Sequence, residues 1–153
     1  MNGGFLVSKI KQLSDRIFDR ILSEQGIDAF NGAQGRILYV LWQEDGVPIK
    51  RVSEKCGLAI TSLTTMLERM EKQGLIKRIQ SENDKRKTLI YLTDKAIALK
   101  DESENVSMRM NNIFYKDFTA EEIEQFEGYL NRIRENLENQ EKAQTFVLNA
   151  PIT

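Results

Sequence analysis

Histidine is absent from the 153 residues, cysteine occurs once, at Cys56, and proline occurs twice. Without histidine the chain lacks the commonest general base at neutral pH and the commonest metal ligand, so serine and cysteine triads of the usual kind are excluded. A lone cysteine permits neither an intramolecular disulfide nor a thiolate zinc site, and it fits a reducing compartment. Glycine is sparse, and Gly3-Gly4 with the scattered others matches neither dinucleotide-binding nor P-loop spacing. No apolar run approaches the roughly 18 residues of a membrane helix. The start, Met1 to Lys9, lacks a basic stretch followed by an apolar core, so the expectation is a cytoplasmic chain with no membrane partner. These absences point away from an enzyme: no catalytic residues, no cofactor and no metal are expected. A carboxylate pair such as Glu121 and Glu122 sits adjacent at a helix start, where it suits a cap better than acid–base work.

Hydrophobic residues make up 41% of the chain and charged residues 29%, the composition of a globular domain. The net charge of -1 hides an asymmetry. Residues 1–49 hold 5 Lys+Arg against 6 Asp+Glu, residues 50–93 hold 10 against 5, and residues 94–153 hold 7 against 12. A basic middle between neutral and acidic ends indicates one face suited to a polyanion.

Periodicity places the elements. Leu6, Ile10, Leu13, Ile17 and Ile21 recur at helical spacing over residues 5 to about 25, ended by Gly26. Asn31 with Gln34 three residues on forms a capping box for a second helix, which carries Ile37, Leu38, Leu41 and Trp42. Pro48 suits the start of a short third helix, and Gly57 supplies the left-handed residue for a sharp turn. The fourth helix, from about Ala59 to Gln73, points Leu63, Met66, Leu67 and Met70 inward. It crowds Thr61, Ser62, Thr64 and Thr65 on its other face, although hydroxyl and β-branched residues are poor helix formers.

After Gly74 the period drops to two, giving a hairpin over 75–93 whose tip is Ser81 to Lys87. Thr93-Asp94 caps a fifth helix to about Phe114, with a thin stripe of Ile97, Leu99, Val106 and Met110. Thr119 to Glu122 is a second capping box. Beyond it Ile123, Phe126, Leu130, Ile133 and Leu137 form a heptad seam, with Gly128 marking an expected helix crossing point. Residues 143–153 read as a flexible tail.

The expected architecture is mainly α with a small antiparallel β-wing. One domain over 1–142 is divided into a winged helix-turn-helix lobe over 32–93 and a helical dimerisation lobe from 5–30 and 95–141; the helix-turn-helix itself spans 49–73. In this order of elements the second helix of the pair presents short hydroxyl side chains to a DNA major groove, and a basic wing tip reaches the adjacent minor groove. The candidate DNA-binding residues are Thr61, Ser62, Thr64, Thr65, Arg69, Lys77, Arg78, Asp84, Lys85, Arg86 and Lys87, with Arg86 inserted and Lys77, Arg78, Lys85 and Lys87 drawing phosphate. Leu6, Ile10, Leu13, Ile17, Ile123, Phe126, Leu130, Ile133 and Leu137 are the candidate dimerisation residues, since a terminal helix with no later partner buries its seam against a second subunit. Phe18, Phe30, Tyr39 and Trp42 are either core or the lining of an apolar effector pocket between the lobes.

On these residues the sequence resembles the MarR family of bacterial transcriptional regulators. Asp84-Lys85-Arg86 followed after five residues by Leu92-Thr93 looks like that family's D-x-R-x5-L-T wing signature, and Leu67 to Arg78 looks like its recognition-helix end and first wing strand. The helical order over about 5–141 is similar too. The resemblance implies a homodimer that binds a pseudo-palindromic operator in double-stranded DNA, usually a repressor released by a small-molecule effector or by oxidation. It also implies an aspartate at position 84 that braces the wing arginine. Three features depart from the pattern: Thr65 stands where many relatives carry a basic residue, the histidines of zinc-responsive members are missing, and Cys56 is far from the N-terminal site of a peroxide sensor. Two alternatives stay open, a winged-helix protein-interaction module and a redox-responsive regulator acting through Cys56.

Overall fold

A computed structural model describes residues 1–149. Its elements in chain order are α1 (Gly3–Glu24), α2 (Gly32–Gln43), β1 (Val47–Pro48), α3 (Ile49–Cys56), α4 (Ile60–Lys72), β2 (Ile76–Gln80), β3 (Thr88–Leu92), α5 (Asp94–Ala98), α6 (Lys100–Phe114) and α7 (Ala120–Leu148). The three strands form one antiparallel sheet in the order β1-β3-β2, with Val47 opposite Ile90 and Arg78 also opposite Ile90 from the other side. The contacts fall into two compact units, the first ending at Met110 and the second beginning at Asn111.

The core of the first unit is built by the stripes that periodicity picks out. Ile37, Leu38 and Leu41 of α2 meet Val52 of α3, Leu63, Leu67 and Met70 of α4, and Leu75, Ile76 and Ile90 of the wing base, all essentially inaccessible to solvent. Each such side chain contributes about 1.5–3 kcal/mol by leaving water. Both capping boxes form: the Asn31 Oδ1 accepts from the Gln34 N–H at 2.9 Å, and the Thr119 Oγ1 accepts from the Glu122 N–H at 3.2 Å.

Four elements differ from the sequence expectation. Pro48 lies in the two-residue strand β1 as well as preceding α3, a pairing too short to leave a periodic signal. Gly46 just before it has φ 66°, and a Cβ there would sit 2.6 Å from the Tyr91 ring, so glycine is required where β1 meets β3. The fifth helix is broken at Leu99 into α5 and α6, which turns Ile97 outward at 51% exposure while Ala96 and Val106 are buried. Finally, α7 continues through Leu148, so the segment 143–148 is helical rather than a tail; nothing in Glu141 to Leu148 is a helix breaker. The rest of the expected tail, 150–153, lies outside the described residues.

The second unit has its own small cluster at the turn into α7. Phe114, Tyr115, Phe118 and Phe126 pack edge-to-face or tilted at centroid separations of 4.9–6.5 Å. The Tyr115 hydroxyl donates to Glu127 Oε1 at 2.8 Å. Desolvation and that neighbouring carboxylate hold the Tyr115 phenol above its ordinary pKa.

Candidate nucleic-acid interface

The turn between α3 and α4 is set by Gly57 at φ 70°, whose N–H caps Ser53 O at 2.9 Å, and by the Ser53 hydroxyl donating to Leu58 O at 2.6 Å. That sharp turn sends α4 off with Leu63, Leu67 and Met70 inward and Thr61, Ser62 and Thr65 exposed, Thr64 being half-buried. The threonines are accommodated by back-bonding: the Thr64 hydroxyl donates to Ile60 O at 2.7 Å and the Thr65 hydroxyl to Thr61 O at 3.4 Å. The face therefore presents short hydroxyl side chains in place of long charged ones. Arg69, one turn further on, is exposed on the same helix.

The wing carries the basic tip. Its turn is held by main chain and short side chains: Ser81 N–H to Lys87 O at 2.9 Å, Lys87 N–H to Asp84 O at 2.9 Å, and Asp84 N–H to the Ser81 hydroxyl at 3.3 Å. Lys77, Lys85, Arg86 and Lys87 are exposed, and none of them is among the ion pairs of the described residues. Asp84 does brace Arg86, though through the backbone: its Oδ1 accepts the Arg86 N–H at 3.1 Å, an Asx-type bond that leaves the guanidinium uncommitted.

Arg78 does not join this set of free cations. Its guanidinium donates twice to Glu71, at 3.0 and 3.3 Å, tying β2 back to α4. The bond to Arg78 holds the Glu71 carboxyl below its ordinary pKa and raises that of Arg78 in turn. Arg78, expected among the phosphate contacts, thus carries its charge already paired within the chain. Spacing gave no warning, because the partner lies seven residues back across a helix-to-strand junction.

The four aromatic residues of the expected effector pocket separate. Phe30 is buried in the core, and Trp42 packs edge-to-face against it at 6.4 Å with its indole N–H donating to Ala96 O at 3.0 Å. Phe18 and Tyr39 instead line a cleft of about 320 Å³ within the first unit, together with Arg36, Val40, Cys56 and Met110. Across it Arg36 pairs with Asp15 at 3.2 Å. Cys56, missed as a lining residue because it reads as small core, is half-buried, and burial pushes its thiol pKa up. That shift is the reverse of what a reactive thiolate needs.

The dimerisation candidates divide by position. Ile17 packs against the core and Ile123 and Phe126 are partly covered, whereas Leu6, Ile10 and Leu13 of α1 and Leu130, Ile133 and Leu137 of α7 stand exposed, Leu137 at 67%. At Gly128 an added Cβ would meet nothing within 4 Å in the chain itself. Among the described residues no three His, Cys, Asp or Glu side chains gather as metal ligands, and no helix is long and apolar enough to cross a membrane.

A short helix, a glycine turn, a second helix with an exposed hydroxyl face and a basic β-hairpin define a winged helix-turn-helix protein. Residues 30–88 match the model of the MarR family. The chain is 41% identical over 69 residues to the organic hydroperoxide resistance transcriptional regulator of Bacillus subtilis (strain 168), covering 45% of this chain and 47% of that protein. It is 31% identical over 97 residues to the HTH-type transcriptional regulator MgrA of Staphylococcus aureus, covering 63% and 65%. The chain thus spans between about half and two thirds of the length of these relatives. Among solved structures, a mutant of MarR from E. coli complexed with operator DNA superposes with a TM-score of 0.78 at 25% identity, over 85% of this chain and 91% of that one. The transcriptional regulator SlyA shares the fold with a TM-score of 0.81 at 21% identity, over 92% and 96%. Over residues 30–88 the chain resembles the MarR family, and the relatives it matches, with SlyA among the solved structures, are named as transcriptional regulators.

Proposed function

We infer that the chain is a homodimeric, sequence-specific DNA-binding transcriptional regulator of the cytoplasm, a repressor that lets go of its operator when a small molecule binds. The observation that carries this reading is the pairing, on one core, of the exposed hydroxyl face of α4 with a wing tip whose cations enter no ion pair among the described residues. Hydroxyl side chains approach base edges closely in the major groove, and Arg86, with only its main chain tethered, suits the adjacent minor groove. Lys77, Lys85 and Lys87 supply the salt-dependent phosphate attraction. The DNA-bound MarR structure supports the same partner.

The apolar stripes left exposed on α1 and on α7 support a second copy as the other partner, since a soluble monomer rarely leaves such stripes uncovered. Two recognition helices related by a twofold would then meet successive major grooves about 34 Å apart. The cleft walled by Phe18, Tyr39 and Met110 borders the C-terminal end of α3 at Lys55 and Cys56, and its volume is at the low end for a small-molecule site. A ligand there would bear directly on the helix that precedes α4.

Selection of bound duplexes from random DNA with the full chain tests the reading. The expected result is enrichment of two inverted half-sites centred one helical turn apart, with a twofold molar excess of protein at saturation. Recovery of no enriched sequence, with binding indifferent to base composition, would contradict it.

A further inference from the structure

The buried polar side chain of Gln34 does more than cap α2. Its Oε1 accepts the Asn31 N–H at 3.2 Å, which fixes the amide so that Nε2 faces away, and Nε2 donates to Gln73 Oε1 at 2.9 Å. Gln73 is the residue that closes α4. Its carbonyl accepts from Lys95 Nζ at 3.1 Å, and the next carbonyl, Gly74 O, accepts the Thr93 hydroxyl at 2.6 Å. On the other side, the N-terminus of α2 is fastened to α1 by Gly32 N–H donating to Asp19 Oδ1 at 2.8 Å. A continuous polar run therefore leads from α1 through the start of α2 to the end of α4. It runs along the edge of the apolar core, where a cleft of about 340 Å³ opens beside it, lined by Asp19, Leu22, Asn31, Gln34 and Gln73.

We propose that Gln34 and Gln73 are positioning residues that set the angle of α4 relative to α1, and through it the half-site spacing the dimer accepts. The proposal rests on the DNA-binding dimer reading above, in which α1 belongs to the subunit interface and α4 to the DNA. The shared apolar core brings α1, α2 and α4 together, and at its edge, where the cleft leaves the packing open, directional hydrogen bonds refine the angle. Gln34 is 3% exposed, so leaving its amide unpaired is costly and the bond persists. Neither side chain needs to touch DNA to act.

A charge cycle tests this. In Gln73→Glu the new carboxylate still accepts from Gln34 Nε2. In Gln34→Glu the carboxylate keeps the capping box, and the exposed Gln73 amide turns over to donate. The double variant Gln34→Glu/Gln73→Glu sets two acceptors of like charge against each other and breaks the link. Affinity is measured for the selected operator, for versions with one base pair added to or removed from its centre, and for a random duplex. Each single variant is expected within about threefold of wild type. The double is expected to bind the operator on the order of tenfold more weakly than the product of the singles and to lose its preference for the native spacing. Random-duplex affinity should follow the product of the singles, which separates the link from simple added negative charge. Gln73→Leu, which removes the acceptor without adding charge, should relax the spacing preference in the same direction and stands in if the double variant does not fold. A double variant whose operator affinity equals the product of the singles and whose spacing preference is intact overturns the proposal. Failure of the wild-type chain to prefer any operator overturns the DNA-binding reading itself.

Discussion

The helix-turn-helix with its wing and the two long helices at either end of the chain handle their apolar residues in opposite ways. In the first, every large stripe residue of α2, α3 and α4 is covered by another residue of the same chain. In the second, Leu6, Ile10 and Leu13, and likewise Leu130, Ile133 and Leu137, recur as regularly and stay in solvent. The same periodicity thus has two meanings, and only the presence or absence of an internal partner separates them. The helix-turn-helix covers its apolar stripes within the chain, whereas α1 and α7 each leave one exposed.

Substitutions should break the two regions differently. Leu67→Ala, in the centre of the covered stripe, should cost about 2–5 kcal/mol in urea unfolding, independent of protein concentration. Ile133→Glu, in the uncovered stripe, should leave the fold's far-UV dichroism intact yet weaken self-association by roughly a hundredfold in sedimentation, since it sets like charges across a symmetric contact. A change of the Ile133→Glu monomer's own fold would mean the seam is served within the chain. Gly128→Ala sharpens the comparison further. In the isolated helix it gains about 1 kcal/mol of propensity, and nothing within 4 Å opposes the methyl, so any loss of dimer affinity must come from close approach of a second copy. An unchanged or tighter dimer would remove the crossing point from α7.

The smallest effect concerns Glu71 and Arg78. Glu71→Gln should release the guanidinium and steepen the salt dependence of DNA binding by about one ion, whereas Arg78→Ala should leave the slope as it is. A slope that falls by about one in Arg78→Ala would return that residue to the phosphate contacts. Because the Glu71 pKa in the folded chain lies below its unfolded value, the pair's contribution is present above the ordinary carboxylate pKa and is lost as pH falls through the lowered one. For so exposed a pair the gap between the thermal melts of wild type and Glu71→Gln should be small, constant between pH 7 and 5, and should close only in more acid solution.

Most of the fold was legible because its signals are local: the capping boxes at Asn31 and Thr119, the glycine turn at 57, the period change after Gly74, and the helical stripes. What escaped was set by partners distant in sequence. Strand β1 exists because β3, over 40 residues later, has an open edge for it. Arg78 reads as one more cation of a basic wing until Glu71 is seen beside it. Phe30 and Trp42 look no different from Phe18 and Tyr39 along the chain, and only packing sends the first two into the core and the second two to a cleft. The break at Leu99 and the extension of α7 to Leu148 lay in weakly patterned stretches, where periodicity offers little to read.

We propose that the wing and α4 read DNA together, with Arg86 as the wing's principal contact. Operator affinity titrated against salt for wild type, Arg86→Ala and Lys87→Ala decides this. Tight binding that weakens steeply with salt is expected, with a loss of about tenfold or more in Arg86→Ala and a smaller loss in Lys87→Ala with the slope reduced by about one. Operator affinity unaltered by Arg86→Ala would take the wing out of the mechanism.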